Sequence, residues 1–206
     1  MIKQFGHDTA LLLIDVQKGV NDLQHWGGPT GRRNNPAAER HMERVLTVWR
    51  KAGLPVIYTQ HDSRQKVSPL KLSLPGGEFI ETLKPKEGEL IIWKDVNSSF
   101  IGTTLELELR RRNIRRIAVA GFFTNYCVET TVRMSGNMGF DTYLIHDACA
   151  TTNQIGIDGV DHDPQTIHDI SVTSMNGEFC TALDHEQTME LVLQDNVSLN
   201  RIQRNE

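Results

Sequence analysis

Short apolar runs alternate with amphipathic stretches along this chain, and that alternation constrains its fold more than any other feature. Ala10 to Ile14, Pro55 to Thr59, Leu90 to Trp93, Ile117 to Ala120 and Thr142 to Ile145 are such runs. Each is too short for a helix and lacks the polar alternation of a half-exposed strand, so each reads as a strand buried on both faces. Pro36 to Ala52, Thr104 to Arg112 and Tyr126 to Asn137 space their apolar residues as helices do. Asn35 is placed to cap the first of these, Pro36 sits in its first turn, and Gly53 ends it. Asp163 before Pro164 marks another helix start, Glu178 to Thr181 reads as a short sixth strand, and Glu186 to Gln194 as a last helix. Repeated strand–helix units with apolar strands give a parallel sheet with right-handed crossovers. The expected fold is α/β: a three-layer α/β/α sandwich on a central, mostly parallel six-stranded sheet, Rossmann-like, with residues 1–206 forming one domain.

The chain has 206 residues, enough to bury about 70% of its unfolded surface without a disulfide or metal staple. Its three cysteines, Cys127, Cys149 and Cys180, are an odd number without CxxC spacing, which argues against a disulfide framework and a cysteine zinc site. A reducing compartment, the cytoplasm, is expected. With 22 basic and 26 acidic residues the net charge is −4, which argues against a nucleic-acid partner. The arginines of 110–116 read as a solvated helix end. The run Ala10 to Ile14 falls far short of the roughly 20 apolar residues that span a bilayer, so no membrane partner is expected.

Function should gather at one edge of such a sheet. Ligands of open α/β folds bind beyond the carboxyl ends of the strands. Asp15 ends the first strand, Lys94 the third, and Cys127 follows the fourth at the expected start of a helix. A free thiol is only a few per cent ionised at neutral pH and needs assistance to attack. Asp15 can take its proton, and the Lys94 charge can stabilise a developing anion. Each residue also has a plain structural role: a small buried cysteine, a turn-forming aspartate, a solvated lysine. Two long irregular stretches, Gln17 to Asn35 and His61 to Gly88, follow strands and should flank the same edge. Asp161, His162, Asp163, His168 and Asp169 superficially suggest a metal cluster, but their spacing fits no common metal motif. Cys149 and Cys180 read as packing residues.

Leu13-Ile-Asp-Val-Gln17, Trp93-Lys-Asp-Val-Asn-Ser-Ser-Phe100 and Ala120-Gly-Phe-Phe-Thr-Asn-Tyr-Cys-Val128 resemble the three signature blocks of the isochorismatase-like cysteine hydrolases. This superfamily includes nicotinamidases, N-carbamoylsarcosine amidohydrolases and ureidoacrylate amidohydrolases. Arg33-Asn-Asn-Pro36, His61-Asp-Ser63 and Ser68-Pro-Leu70 further resemble a subgroup that includes streptothricin hydrolase. The resemblance implies Asp15 as general acid/base, Lys94 as catalytic lysine and Cys127 as nucleophile. It implies a cis peptide between Phe122 and Phe123, and an oxyanion hole from the backbone N–H groups of Phe123 and Cys127. The substrate implied is a small amide, carbamoyl or lactam compound, hydrolysed through a thioester. A homodimer or homotetramer is implied too.

Departures from the family pattern add expectations. Nicotinamidases hold a metal with an Asp-x-His pair after the second strand, and here that stretch reads Thr59-Gln-His-Asp-Ser63. No catalytic metal and no cofactor are therefore expected. Ser99 stands where alanine is frequent, and the Phe122-Phe123 pair is bulky, so both should narrow the pocket. Gln17, Trp26, His61, Phe100 and Tyr126 are candidate pocket residues. Two alternatives accompany the amidohydrolase reading. One is vinyl-ether hydrolysis of isochorismate, whose known family enzymes do not rely on a cysteine here. The other is a catalytically silent binding module.

Overall fold

A computed structural model describes residues 2–202, with side-chain surroundings through residue 193. The chain runs β1 (Thr9–Ile14), a short helix α1 (Leu23–Gly27), α2 (Ala38–Lys51), β2 (Val56–His61), β3 (Leu90–Lys94), α3 (Leu105–Arg111) and β4 (Arg116–Phe122). It continues through α4 (Glu129–Asn137), β5 (Asp141–Ala150), β6 (Gln154–Ile155), β7 (Asp161–His162), α5 (Pro164–Met175), β8 (Thr181–Leu183) and α6 (His185–Ile202). Six strands form one sheet in the order β3-β2-β1-β4-β5-β8, every pairing parallel. The β6–β7 ribbon is antiparallel and separate.

Residue chemistry dictates the layering. All six residues of β1 are buried, as a central strand covered on both faces requires. Leu11 and Leu13 pack on one face with Met42, Val45, Leu46 and Trp49 of α2 and Val192 of α6. Ala10, Leu12 and Ile14 pack on the other with Leu105 and Leu109 of α3, Val132 of α4 and Met175 of α5. The alternation of strand side chains thus builds two cores and a three-layer sandwich. Gly121 lets β4 approach β1 closely. Its φ is +135°, and a methyl group there would meet Ile14 O at 2.1 Å.

Several local expectations change. Asn35 does not cap α2: its amide reaches across to donate to the carbonyls of His146 and Cys149, while the Asn35 carbonyl accepts from Ala38 N–H. Those carbonyls lie where β5 bulges, between its pairings Val119↔Leu144 and Gly121↔Cys149, so they need an external donor. The sixth strand begins at Thr181, after the expected 178–181 run has all but ended. Phe179 and Cys180 N–H groups fold back onto Met175 O, and Asn176 Oδ1 accepts from Ala182 N–H, so residues 176–180 form a turn. The expected helix Tyr126 to Asn137 is two elements: a wide π-helical turn, Thr124–Val128, precedes α4. The final helix runs on to Ile202.

Other features match their sequence signals. Asp163 caps α5 by accepting from Gln165 and Thr166 N–H groups. The arginine run pairs with acids: Arg110 with Glu106, Arg111 and Arg112 with Glu108, and Arg115 and Arg116 with Asp8. Among the described residues no helix is long and apolar enough to cross a membrane.

Candidate active site

Three neighbouring parallel strands end together, and each delivers one polar side chain. Asp15 follows β1, His61 ends β2 and Lys94 ends β3. Asp15 turns left-handed at φ 53°, a conformation aspartate tolerates. Thr59 fixes it twice, accepting from Asp15 N–H at 3.1 Å and donating its hydroxyl to Oδ1 at 2.6 Å. Lys94 Nζ donates to the other carboxylate oxygen, Oδ2, at 2.6 Å, and its side chain is fully buried. Further acceptors for the ammonium are His61 Nδ1 at 3.0 Å and the carbonyls of Asn97 and Val96 at 3.1 and 3.2 Å. Burial works against the Lys94 charge, yet the adjacent Asp15 outweighs it and raises the lysine's pKa.

Cys127 reaches this group from the π-helical turn. Its Sγ, an Asp15 carboxylate oxygen and a His61 ring nitrogen lie within 4.8 Å of one another. Burial and the Asp15 charge push the thiol's pKa well up, and Lys94 offsets this only in part. The resting group is therefore a thiol beside a carboxylate–ammonium pair. His61 is held neutral: burial lowers its pKa, and Nδ1 accepts from an ammonium that has no lone pair to give. Its remaining proton is on Nε2.

The turn carrying Cys127 is anchored from below. The Phe122–Phe123 peptide is cis. Phe123 O accepts from both Tyr126 and Val128 N–H groups. Thr124 Oγ1 and His168 Nδ1 of α5 are 2.9 Å apart. Desolvation holds the buried His168 neutral, its pKa lowered to about 4. The suggested acidic–histidine cluster is thus dispersed: His168 supports the turn, Asp163 caps α5, and Asp161 pairs with Arg32 and accepts from Thr30 and Asn153.

A cavity of about 390 Å³ opens above Cys127 and Asp15. Of the candidate pocket residues, Trp26, His61 and Tyr126 line it, together with Phe123. Gln17 does not. Its amide is fully buried behind the wall, donating to His61 O and Gly77 O and accepting from His61 N–H. Phe100 does not line it either, because it packs against Phe140 in the core shared with α3, α4 and α5. Ser99 is likewise remote, bonded through N–H and hydroxyl to Thr131 of α4. The long loops contribute lining residues that sequence reasoning missed: Val20 and His25 from the first, Ser63, Gln65, Ser68 and Leu70 from the second. Asn97 and Phe122 complete it. The available signal was the pair of motifs His61-Asp-Ser63 and Ser68-Pro-Leu70; the Ser63 and Ser68 hydroxyls accept from the Gln65 and Leu70 N–H groups and shape the loop.

Among the described residues two clusters combine metal-ligating side chains. At Asp15, His61 and Cys127, the Lys94 ammonium already occupies an Asp15 oxygen and His61 Nδ1, so a dication would face a buried positive charge. In the second, His41 and His185 stack at 3.8 Å with planes 7° apart, beside Asp147. Lone pairs lying in two parallel rings do not converge on one ion, and Arg44 bonds the far nitrogen of His185. Neither donor set fits a metal. Cys149 is fully buried in β5, and it and Cys180 pack in the core shared with α3, α4 and α5.

Comparisons with known proteins agree with this architecture. The isochorismatase domain model matches residues 9–187. The isochorismatase family protein YrdC of Bacillus subtilis is 43% identical over 178 residues, 86% of this chain and 92% of that protein. Ureidoacrylate amidohydrolase RutB of Variovorax paradoxus is 34% identical, over 72% of this chain and 70% of its own length. A crystal structure of an isochorismatase-family protein from Chromobacterium violaceum superposes with a TM-score of 0.85 at 37% identity, covering 92% of this chain and 96% of that one. By domain match, sequence and fold together, the chain belongs to the isochorismatase family of hydrolases.

Proposed function

We propose that this hydrolase is a cysteine-dependent amidohydrolase acting on a carbon–nitrogen bond of a small molecule. The observation that carries the reading is the convergence of Cys127 and Asp15 on one cavity, with a fully buried Lys94 bonded to Asp15 behind it. Lys94 donates to Asp15 Oδ2 at 2.6 Å, and Asp15 serves as the base beside a protonated thiol. As Cys127 Sγ attacks the amide carbonyl, its proton passes to Asp15, so a free buried thiolate never accumulates. The backbone N–H groups of Phe123 and Cys127 serve as the oxyanion donors, each worth about 10²–10³ in rate. Asp15 then returns the proton to the leaving nitrogen, and the C–N bond breaks. Water deprotonated by the same carboxylate hydrolyses the thioester and regenerates the thiol.

The similarity to a ureidoacrylate amidohydrolase supports amide chemistry over ether chemistry. The test is a panel of amides, ureas, carbamoyl compounds and lactams, monitored for released amine or ammonia. Wild type is expected to turn over at least one class, with Cys127→Ala reduced by at least 10³ and chelators without effect. Turnover of isochorismate to pyruvate that survives Cys127→Ala would overturn the proposal.

A further inference from the structure

The wall of the cavity carries aromatic faces and neutral polar groups. Trp26 and Phe123 lie 4.9 Å apart, and Ser63, Ser68 and Asn97 supply uncharged hydrogen-bonding groups. Among the described lining residues none is an arginine or a lysine. Among the described residues the cation bonded to the floor is Lys94, and its three N–H bonds already face four acceptors, Asp15 Oδ2, His61 Nδ1 and two carbonyls. Surrounding cations are committed elsewhere. Arg33, 5.4 Å from the Phe122 ring, is bonded to Glu39 and Asn21; Lys71 pairs with Asp62; Arg64 pairs with Asp95. Lys66 is exposed and outside the lining. The charge that the floor itself presents is the Asp15 carboxylate, already paired with Lys94.

A carboxylate entering such a space loses water and meets no arginine or lysine, since the further imidazole of the lining, His25, stands exposed at the rim against Trp26; buried charges avoid that outcome. We propose that the site selects uncharged acyl groups: an amide, urea or carbamoyl compound with no carboxylate close to the scissile carbonyl. The inference rests on the amidohydrolase reading, because it needs Cys127 to be the atom that meets the substrate. It separates this site from one built for an acidic amide, where a free arginine or lysine would line the wall. His61 fits the same selection. Its Nδ1 is taken by Lys94, so it presents a neutral N–H rather than a cation.

The experiment compares iodoacetamide with iodoacetate, two alkylating reagents of nearly equal size that differ in charge. Each forms an S–C bond at Cys127 as iodide leaves and the thiol proton is lost. Rates are read at mildly alkaline pH by peptide mapping of the intact protein. They are normalised to the same two rates for 2-mercaptoethanol, an uncharged thiol. The expected result is at least a tenfold normalised preference for iodoacetamide at Cys127. Placing a cation on the rim by Gln65→Arg, an exposed lining residue, should raise the iodoacetate rate at least threefold. Equal rates, or iodoacetate faster, overturn the inference while leaving the nucleophile intact, and an unmoved rate in Gln65→Arg removes its electrostatic cause. Failure of both reagents at Cys127 overturns the nucleophile reading, and this inference with it.

Discussion

The Lys94 side chain has no exposed surface and is bonded to Asp15 at 2.6 Å, so the two charges exist there only because each neutralises the other. Removing one partner strands the other in a low-dielectric interior, which typically costs about 3–5 kcal/mol. Lys94→Met is therefore expected to lose activity and about that much stability in urea unfolding. The double variant Asp15→Asn, Lys94→Met buries no net charge. It should recover most of the stability and none of the activity. Wild-type stability of Lys94→Met would show that the pair is not a buried unit. Asp15, Lys94 and Cys127 were legible in the sequence, because strand-end positions of a parallel sheet share an edge whatever the loops do. Gln17 and Phe100 were not. Both stand in the motif blocks, but the direction of a side chain depends on packing partners far away in sequence, Gly77 for one and Phe140 for the other.

At the scale of elements, the wide turn Thr124–Val128 matters most, since it carries Cys127. His168 of α5 braces it through Thr124 and stays neutral in a buried place, its pKa lowered to about 4 from 6.5. The unfolded chain binds this proton below about pH 6.5, whereas the folded chain resists it until about pH 4. Stability from this group is complete above pH 6.5 and declines as pH falls toward 4, by as much as about 3 kcal/mol. His168→Gln cannot take up that proton. Its melting temperature should fall less than the wild type's over this interval; an equal fall would place the sensitivity elsewhere. Helix and strand cores were readable from their apolar spacing. The readable signal failed where tertiary hydrogen bonds overrode local propensity. Asn35 is a good cap residue that instead satisfies two carbonyls of the β5 bulge. Glu178 to Thr181 has strand-like residues, but Met175 O recruits Phe179 and Cys180 into a turn.

For the whole molecule, the sheet order β3-β2-β1-β4-β5-β8 brings four strand ends beneath one cavity of about 390 Å³. That size admits a small molecule. The two long loops that roof it hold short helical turns rather than disorder, and they close through tight contacts: a methyl group on Gly19 or Gly76 would meet Pro69 O at 2.4 or 2.2 Å. Such contacts between loop segments leave no periodic trace in a sequence, which is why Ser63, Ser68 and their neighbours could not be placed on the wall by inspection. The chemistry proposed for this edge passes through a covalent bond to one atom, Cys127 Sγ. Intact-mass spectrometry of the enzyme quenched in acid during turnover of an amide from the panel measures that bond directly. The expected result is a transient mass increase equal to the acyl group, mapped to Cys127 and absent in Cys127→Ala. Steady turnover with Cys127 never modified, or turnover retained in Cys127→Ala, would contradict it.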